Sequence, residues 1–505
     1  MRLSALSVGF ALLALTNART AELEPIRYTI AAPAPETQMA EIEAIVPTDG
    51  RATIDLMMAA WSPGFYRVEN YATRVSNFSA RGPDGVSLAV DRPTDNRWRI
   101  TTGGRARITI AYKLTCKERS VSTNWVHTDF GVFTGPATFI TLVENVKRPH
   151  EVRLTLPAAW SRSASGLPAP PGGGANAYRA PDFEMLADSP ILAGNLGVEE
   201  FTVDGKRHQV VSAGEVGTWD ARRAAADLQN IVTETRRFWG FELPYQQYAF
   251  LLMFRQGGGG LEHKDSALVT SSPTMGGSAE AYRRWLGLMS HEYFHAFNVK
   301  RLRPVELGPF DFEHAPTTTS LWFSEGVTSY YGNLMLRRAG LGDNAEQLAS
   351  LSSQIGQLQK SPGRLLQTLE QSSAEVWNNS LSGVNAAPTT VSYYGKGLIV
   401  GFLLDAHIRH TTNDQKSFDD VMRLAYSRFG GERGFTADQL RATADTVAGV
   451  DLKAWFGKAL GSTDELDYTE ALEWFGLSLS SEWQLEERPD ATPAQQAHLK
   501  SWLTH

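Results

Sequence analysis

Through much of the first two hundred positions, apolar and polar residues alternate. In Arg107-Ile-Thr-Ile-Ala-Tyr-Lys113 and Glu151-Val-Arg-Leu-Thr-Leu156 every second side chain has the same character, a spacing that turns one face of a β-strand toward a core. Turns bearing Gly and Pro separate such segments, so residues 26–203 read as antiparallel β-sheet, with a surface loop at 168–174. Beyond Trp219 the period lengthens to that of a helix. Leu286, Met289, Phe294 and Phe297 recur at helical spacing behind Ser278, a candidate N-cap, and the run is expected to end at Arg303-Pro304. A second helix is expected from Ser320 as cap to Gly340 as terminator. A short strand pair around 257–260 interrupts the helices, and the apolar run 248–254 reads as a strand able to pair with an extended peptide. Near the end, Thr436 with Gln439 forms a capping box and Phe435 with Leu440 a hydrophobic staple. The pattern predicts an α+β chain: an N-terminal antiparallel β domain over 22–203, a mainly helical domain over 204–477, and a polar tail, 478–505, with a weak helical pattern and no assigned role. No internal repeat is visible.

The chemistry concentrates in His291-Glu292-Tyr293-Phe294-His295. On a helix, positions i and i+4 share a face, so both imidazoles can reach one metal ion while Glu292 stands beside them. Catalytic zinc normally takes three protein ligands and leaves a fourth position open. Glu313 and His314 are candidates for the third, but they lie in Phe310-Asp-Phe-Glu-His-Ala-Pro316, an irregular stretch that would hold a ligand loosely. Glu325 fits better, since the second predicted helix would present it rigidly. Its neighbours Leu321, Trp322, Phe323, Val327, Tyr330 and Tyr331 also make an unpaired charge there expensive. Asn298, on the same face as His295, is a candidate supporting partner, and His263 a structural or substrate-lining residue.

His291-Glu-Tyr-Phe-His-Ala-Phe-Asn-Val-Lys-Arg-Leu-Arg-Pro304, followed by Leu321-Trp-Phe-Ser-Glu-Gly-Val-Thr-Ser-Tyr-Tyr331, resembles the M61 (glycyl aminopeptidase) family of gluzincin, thermolysin-like metallopeptidases. The resemblance extends to Gly259-Gly-Leu-Glu-His-Lys-Asp-Ser266, to Tyr393-Tyr-Gly-Lys-Gly397 and, in the β domain, to Trp61-Ser-Pro-Gly-Phe-Tyr66. It implies one zinc ion per chain held by His291, His295 and Glu325, with Glu292 as general base. It further implies that Glu262 meets the substrate's free amino terminus, that Gly259 and Gly260 border the substrate, and that Tyr394 donates to the oxyanion. The chemistry of each group suits its role: glycines let a peptide backbone approach, and a phenol aimed at developing charge lowers the barrier. The implied activity is release of small amino-terminal residues, Gly or Ala, from peptides. A zinc endopeptidase with the same site and an exported peptide-binding protein without turnover are the alternatives. Phe297 stands where the family often has Trp. Many members carry a C-terminal PDZ domain, for which the residues after Leu477 show no pattern.

Length and charge narrow the picture. A chain of 505 residues exceeds what one core usually supports. A net charge of −7 without any basic block speaks against nucleic-acid binding. Met1-Arg2, an apolar run over 3–15 and small residues around Ala18 read as a signal peptide over 1–21. That run is too short to span a bilayer comfortably, so export to the periplasm or medium without stable membrane insertion is expected. Cys116 is the one cysteine, which rules out an intrachain disulfide. Nothing in the pattern indicates an oligomeric state.

Overall fold

The alternating segments of the first half form three sheets in a computed structural model that describes residues 22–144, 146–377 and 389–504. The signal peptide expected at 1–21 lies outside them. The largest sheet has the order Ala177–Ala180, His150–Thr155, Ile26–Ala31, Met39–Pro47, Arg107–Thr115, Val75–Arg81. Met39–Pro47 and Arg107–Thr115 pair along their whole length, Met39 opposite Thr115 and Pro47 opposite Arg107. Pairing is antiparallel apart from Ile26–Ala31 with His150–Thr155, which run parallel. A four-stranded sheet built on Thr53–Met58 and Arg97–Thr101 shares a core with it, in which Tyr28, Ile42, Leu56, Trp98, Ile110 and Phe139 are buried. Alternation in the sequence is thus cashed out as one buried face per strand.

The third sheet joins the two halves. Val132 and Leu192, from Phe130–Phe133 and Ile191–Gly194, share a cluster with Val211, Leu251 and Leu268 of the sheet that follows. That following sheet has five strands in the order Gly197–Val203, Lys206–Gly214, Gln247–Phe254, Ser266–Ser271, Gly259–Glu262. Its three inner strands are parallel and both outer ones antiparallel. Two expectations change here. A domain boundary at 203/204 would cut the hairpin Gly197–Val203 with Lys206–Gly214, so the second unit's sheet already begins at Gly197. The run 248–254 is a central strand with both neighbours occupied and cannot take up a peptide; the outer strand is Gly259–Glu262. The fully apolar run 248–254 is what a strand covered on both faces requires.

Ser278 caps the helix Ala279–Phe294, accepting from the Ala281 amide at 3.1 Å. This helix stops at Phe294, short of Arg303-Pro304. The apolar rhythm outlasts it because the tight turns that follow still bury Phe297 and Leu302. The next element begins as a π-helix, Trp322–Val327, and continues as the α-helix Thr328–Arg338, with Gly340 at φ 74° just beyond. Ser320 supplies no side-chain cap; the Trp322 amide instead donates to Ser373 Oγ at 3.2 Å. The Thr436 capping box forms as expected.

Of the tail expected at 478–505, the described residues 478–504 are part of the folded unit. Leu485 lies in a strand pairing with Leu477–Leu479, and the helix Pro493–Thr504 buries Leu499, Trp502 and Leu503. Trp502 Nε1 donates to Tyr330 Oη at 2.7 Å. Three apolar side chains on one face of a polar helix suffice to dock it. Among the described residues no helix is long and apolar enough to cross a membrane.

Candidate metal centre and active site

The helix Ala279–Phe294 carries His291 in its last turn, and His295 is its C-cap. Close packing of the second helix brings in the third group: a Cβ on Gly332 would lie 3.2 Å from His291 Cα, tighter than ordinary contact. Glu325, in the π-helical turn, then faces both imidazoles. Its Oε2 lies 3.2 Å from His295 Nε2 and 3.7 Å from His291 Nε2, and the two Nε2 atoms are 3.0 Å apart. Tetrahedral ligation at about 2.1 Å separates ligand atoms by about 3.4 Å, so this set has the spacing a single ion needs. His295 Nδ1 donates to the Asn298 carbonyl at 2.8 Å, which leaves its Nε2 lone pair pointing at the other two groups. Two imidazole nitrogens and a carboxylate oxygen at these distances are held together by a positive charge among them, a proton on His295 or a metal ion.

Electrostatics point the same way. Burial opposes a charged imidazole at His295, yet the carboxylates of Glu325, Glu262 and Glu292 outweigh it and raise its pKa to about 9. Burial also opposes the Glu325 carboxylate, but His295 and His291 hold its pKa well below the usual range. His291 is lowered, first by burial and then by His295. Positive charge is favoured at this point of the fold.

Glu325 has a further partner that the sequence did not suggest. Tyr66 Oη, from the β domain, donates to Glu325 Oε1 at 3.0 Å. Asn298 also supports the centre beyond its carbonyl, since its Nδ2 donates to Phe323 O and Thr328 Oγ1, both at 3.0 Å. The rejected candidates lie elsewhere: Glu313 accepts from Asn96 and Arg97, and exposed His314 pairs with Asp311. His263 bonds Asp188 at 3.2 Å, a structural position.

Glu292 is buried beside the centre, against the outer strand. A Cβ on Gly260 would fall 2.2 Å from Glu292 Oε1, so only glycine lets the strand pass this close. Burial, aided by Glu262 and Glu325, raises the Glu292 carboxyl to about 8. Gly259, at φ 134°, is exposed with open space around it. Glu262 ends the same strand, and Gly64 of the β domain presses on it: a Cβ there would meet Glu262 Oε1 at 2.3 Å. Burial raises the Glu262 pKa, and its Oε1 has no hydrogen-bond partner within the protein.

Tyr394 lies in the first turn of the helix Tyr393–Thr411, which packs on the π-helix through glycine. A Cβ on Gly326 would stand 2.5 Å from Gly397 Cα, which accounts for the glycine in Tyr393-Tyr-Gly-Lys-Gly397. The half-buried Tyr394 ring lies 6.2 Å from that of His291, whereas Tyr393 is buried edge-on to Tyr66 at 6.4 Å. Of the two, Tyr394 is the one placed beside the metal ligands. The three ligands, Glu292, Gly260, Glu262, Tyr393 and Tyr394 line one cavity of about 240 Å³, closed on the β-domain side by Gly64, Phe65, Tyr66 and Arg67; Gly259 lies outside this lining.

Two family descriptions match the chain: the peptidase M61 N-terminal domain over residues 27–195 and the M61 glycyl aminopeptidase domain over 284–400, together more than half of it. The chain belongs to the M61 peptidase family. An aminopeptidase N family protein from Idiomarina loihiensis has a similar structure, with 27% identity, a TM-score of 0.85, and coverage of 90% of this chain and 78% of that one. The M1 zinc metallopeptidase from Deinococcus radiodurans shares the fold at 14% identity and a TM-score of 0.55, over 88% of this chain and 95% of that one. No curated protein matches the chain. This M61 protein is a metallopeptidase with N-terminal β-sheets and a helical, gluzincin-like catalytic region.

Proposed function

We propose that the protein is a zinc-dependent aminopeptidase that removes small amino-terminal residues, Gly or Ala, from peptides, with His291, His295 and Glu325 holding one zinc ion. The supporting observation is Glu262 Oε1, a buried acceptor without a protein donor, in the cavity that the three ligands share. A buried carboxylate oxygen without a hydrogen-bond donor is costly, and a substrate ammonium supplies the missing donor. Because Glu262 lies at the end of the strand and Gly64 closes the space behind it, a peptide bound through its amino terminus would place its first peptide bond near the metal ligands.

Zinc, when bound, would polarise the scissile carbonyl and lower the pKa of water. Glu292 accepts the proton of the attacking water and returns it to the leaving amine, a task for which its raised pKa suits it. Tyr394 donates to the oxygen on which negative charge develops. The outer strand Gly259–Glu262 pairs on one side with Ser266–Ser271 and offers its other edge to the substrate backbone. The crowding of Tyr66, Tyr393 and Tyr394 around a cavity of about 240 Å³ supports the small first residue.

Zinc content, together with hydrolysis of aminoacyl p-nitroanilides with and without chelator, tests the proposal. Chelator-sensitive release fastest from glycyl and alanyl substrates is expected. No turnover by the zinc-loaded protein would favour a peptide-binding role instead. Export to the periplasm belongs to the same proposal, and amino-terminal sequencing of the mature protein, expected to begin between Arg19 and Glu22, checks it.

A further inference from the structure

Behind the cavity, three buried charges are arranged unequally. Lys300 lies in the turns after His295, and its side chain is 6% exposed. Its Nζ is 2.8 Å from Asp188 Oδ1 but 3.9 Å from Glu262 Oε1. The first distance is a charge-assisted hydrogen bond; the second is outside hydrogen-bond reach. Asp188 follows the short helix Phe183–Ala187 of the β domain and is itself pinned, accepting from the Lys264 amide at 2.7 Å and from His263 Nδ1 at 3.2 Å. Two carboxylates thus share one ammonium, and the one facing the cavity has the lesser share. Glu262 Oε1 consequently stands without a donor in the protein.

We propose that Asp188 is a positioning residue that keeps the amine site open by holding Lys300 off Glu262. The inference rests on the reading of Glu262 as partner of the substrate's ammonium. A shift of Nζ by about 1 Å would turn the 3.9 Å approach into a hydrogen bond. Lys300 would then occupy the acceptor that the substrate needs, as a tethered competitor at high effective concentration. With Asp188 in place, the trio of two carboxylates and one ammonium is short by one positive charge, and the substrate supplies it. The β domain thereby does more than wall the cavity: it decides which cation Glu262 binds.

Asp188→Asn keeps the shape and can still accept from the Lys264 amide, but it no longer anchors the ammonium. On alanyl-p-nitroanilide its KM should rise at least ~10-fold while kcat changes less than ~3-fold and zinc stays bound, since the loss lies in amine binding. Adding Lys300→Met to it removes the competitor and should bring KM back to within ~3-fold of wild type, a rescue that a merely structural Asp188 would not allow. Lys300→Arg is the second variant, which retains the charge: its fork spans both carboxylates and should raise KM about as much as Asp188→Asn. A wild-type KM in both Asp188→Asn and Lys300→Arg, or no rescue in the double variant, would overturn the proposal. Glu262→Gln on the same substrate separates the two levels: an unchanged KM there sinks the amine-site reading and this inference together, whereas a raised KM with Asp188→Asn unaffected sinks only this one.

Discussion

The Tyr66 hydroxyl donates to Oε1 of Glu325 at 3.0 Å, although 259 positions separate the two residues in the chain. The β domain therefore reaches into the metal centre and holds the third ligand, leaving Oε2 turned toward the imidazoles. Partners of this kind orient a ligand and tune its affinity. Tyr66→Phe should weaken zinc binding about 10-fold or more, read by competition with a chelating dye, while the metal-free protein melts near the wild-type temperature. Equal zinc affinity in the two proteins would show that Glu325 needs no such support.

Ligands and base should separate cleanly by substitution. His291→Ala, His295→Ala and Glu325→Ala should each lose zinc and activity together, because two remaining groups hold the ion poorly. Glu313→Ala and His314→Ala should keep both, since these residues engage Arg97 and Asp311 instead. Glu292→Gln leaves all three ligands in place and should retain zinc while turnover falls at least ~10²-fold. Stoichiometric zinc in Glu325→Ala, or near-normal turnover in Glu292→Gln, would overturn the respective assignment.

How much of this could be read from the chain follows from distance along it. The His-Glu-x-x-His helix is a local pattern, its cap at Ser278 three residues from the amide it binds, and periodicity exposes it. Glu325 was legible because a carboxylate amid Trp322, Phe323 and Tyr330 must have a partner. Tyr66 and Asp188 were not: each sits in a loop without period, and each matters only through a residue more than a hundred positions away. The stretch Trp61-Ser-Pro-Gly-Phe-Tyr66 carries a family resemblance and a turn glycine, but these mark a bend and a relationship rather than a contact with Glu325. The hairpin at Gly197 was missed because alternation is the same on both sides of a domain boundary. The terminal helix left only a weak helical pattern in the sequence, and its docking was not legible, because its buried face is only three side chains wide.

Proton linkage adds a prediction about the metal-free protein. His295 is raised from 6.5 to about 9, so its contribution to stability is complete below 6.5 and is lost as pH climbs through 9. Glu292 is raised from 4.5 to about 8, so its contribution is complete below 4.5 and is lost as pH climbs through 8. Both act in one direction, and the metal-free fold should lose stability between about pH 6 and 9. Zinc displaces the proton on His295, so its binding strengthens over the same range. The gap in melting temperature between zinc-loaded and metal-free protein should therefore widen from pH 6 to pH 9. A gap independent of pH would mean that no proton leaves the site when zinc enters.

The step from site to exopeptidase depends on Glu262, and blocked substrates examine it directly. Acetylating the amino terminus removes the ammonium and leaves a buried carboxylate facing an amide, with its desolvation uncompensated. The acetyl group must also fit where Gly64 already crowds Glu262 Oε1, leaving less room than a methyl group needs. Cleavage of N-acetylated peptides should accordingly fall at least ~10²-fold below that of the free-amine parents, from lost pairing and overlap combined. Glu262→Ala should depress the free-amine rate and, by opening space, narrow the difference. Gly64→Ala is the complementary change: it should push the carboxylate from its place and depress the free-amine rate while zinc remains bound, because the three atoms nearest the added methyl all belong to Glu262. Equal wild-type rates on blocked and unblocked peptides would remove the amino-terminal anchor and make the protein an endopeptidase, with His291, His295, Glu325 and Glu292 performing the same chemistry on an internal bond.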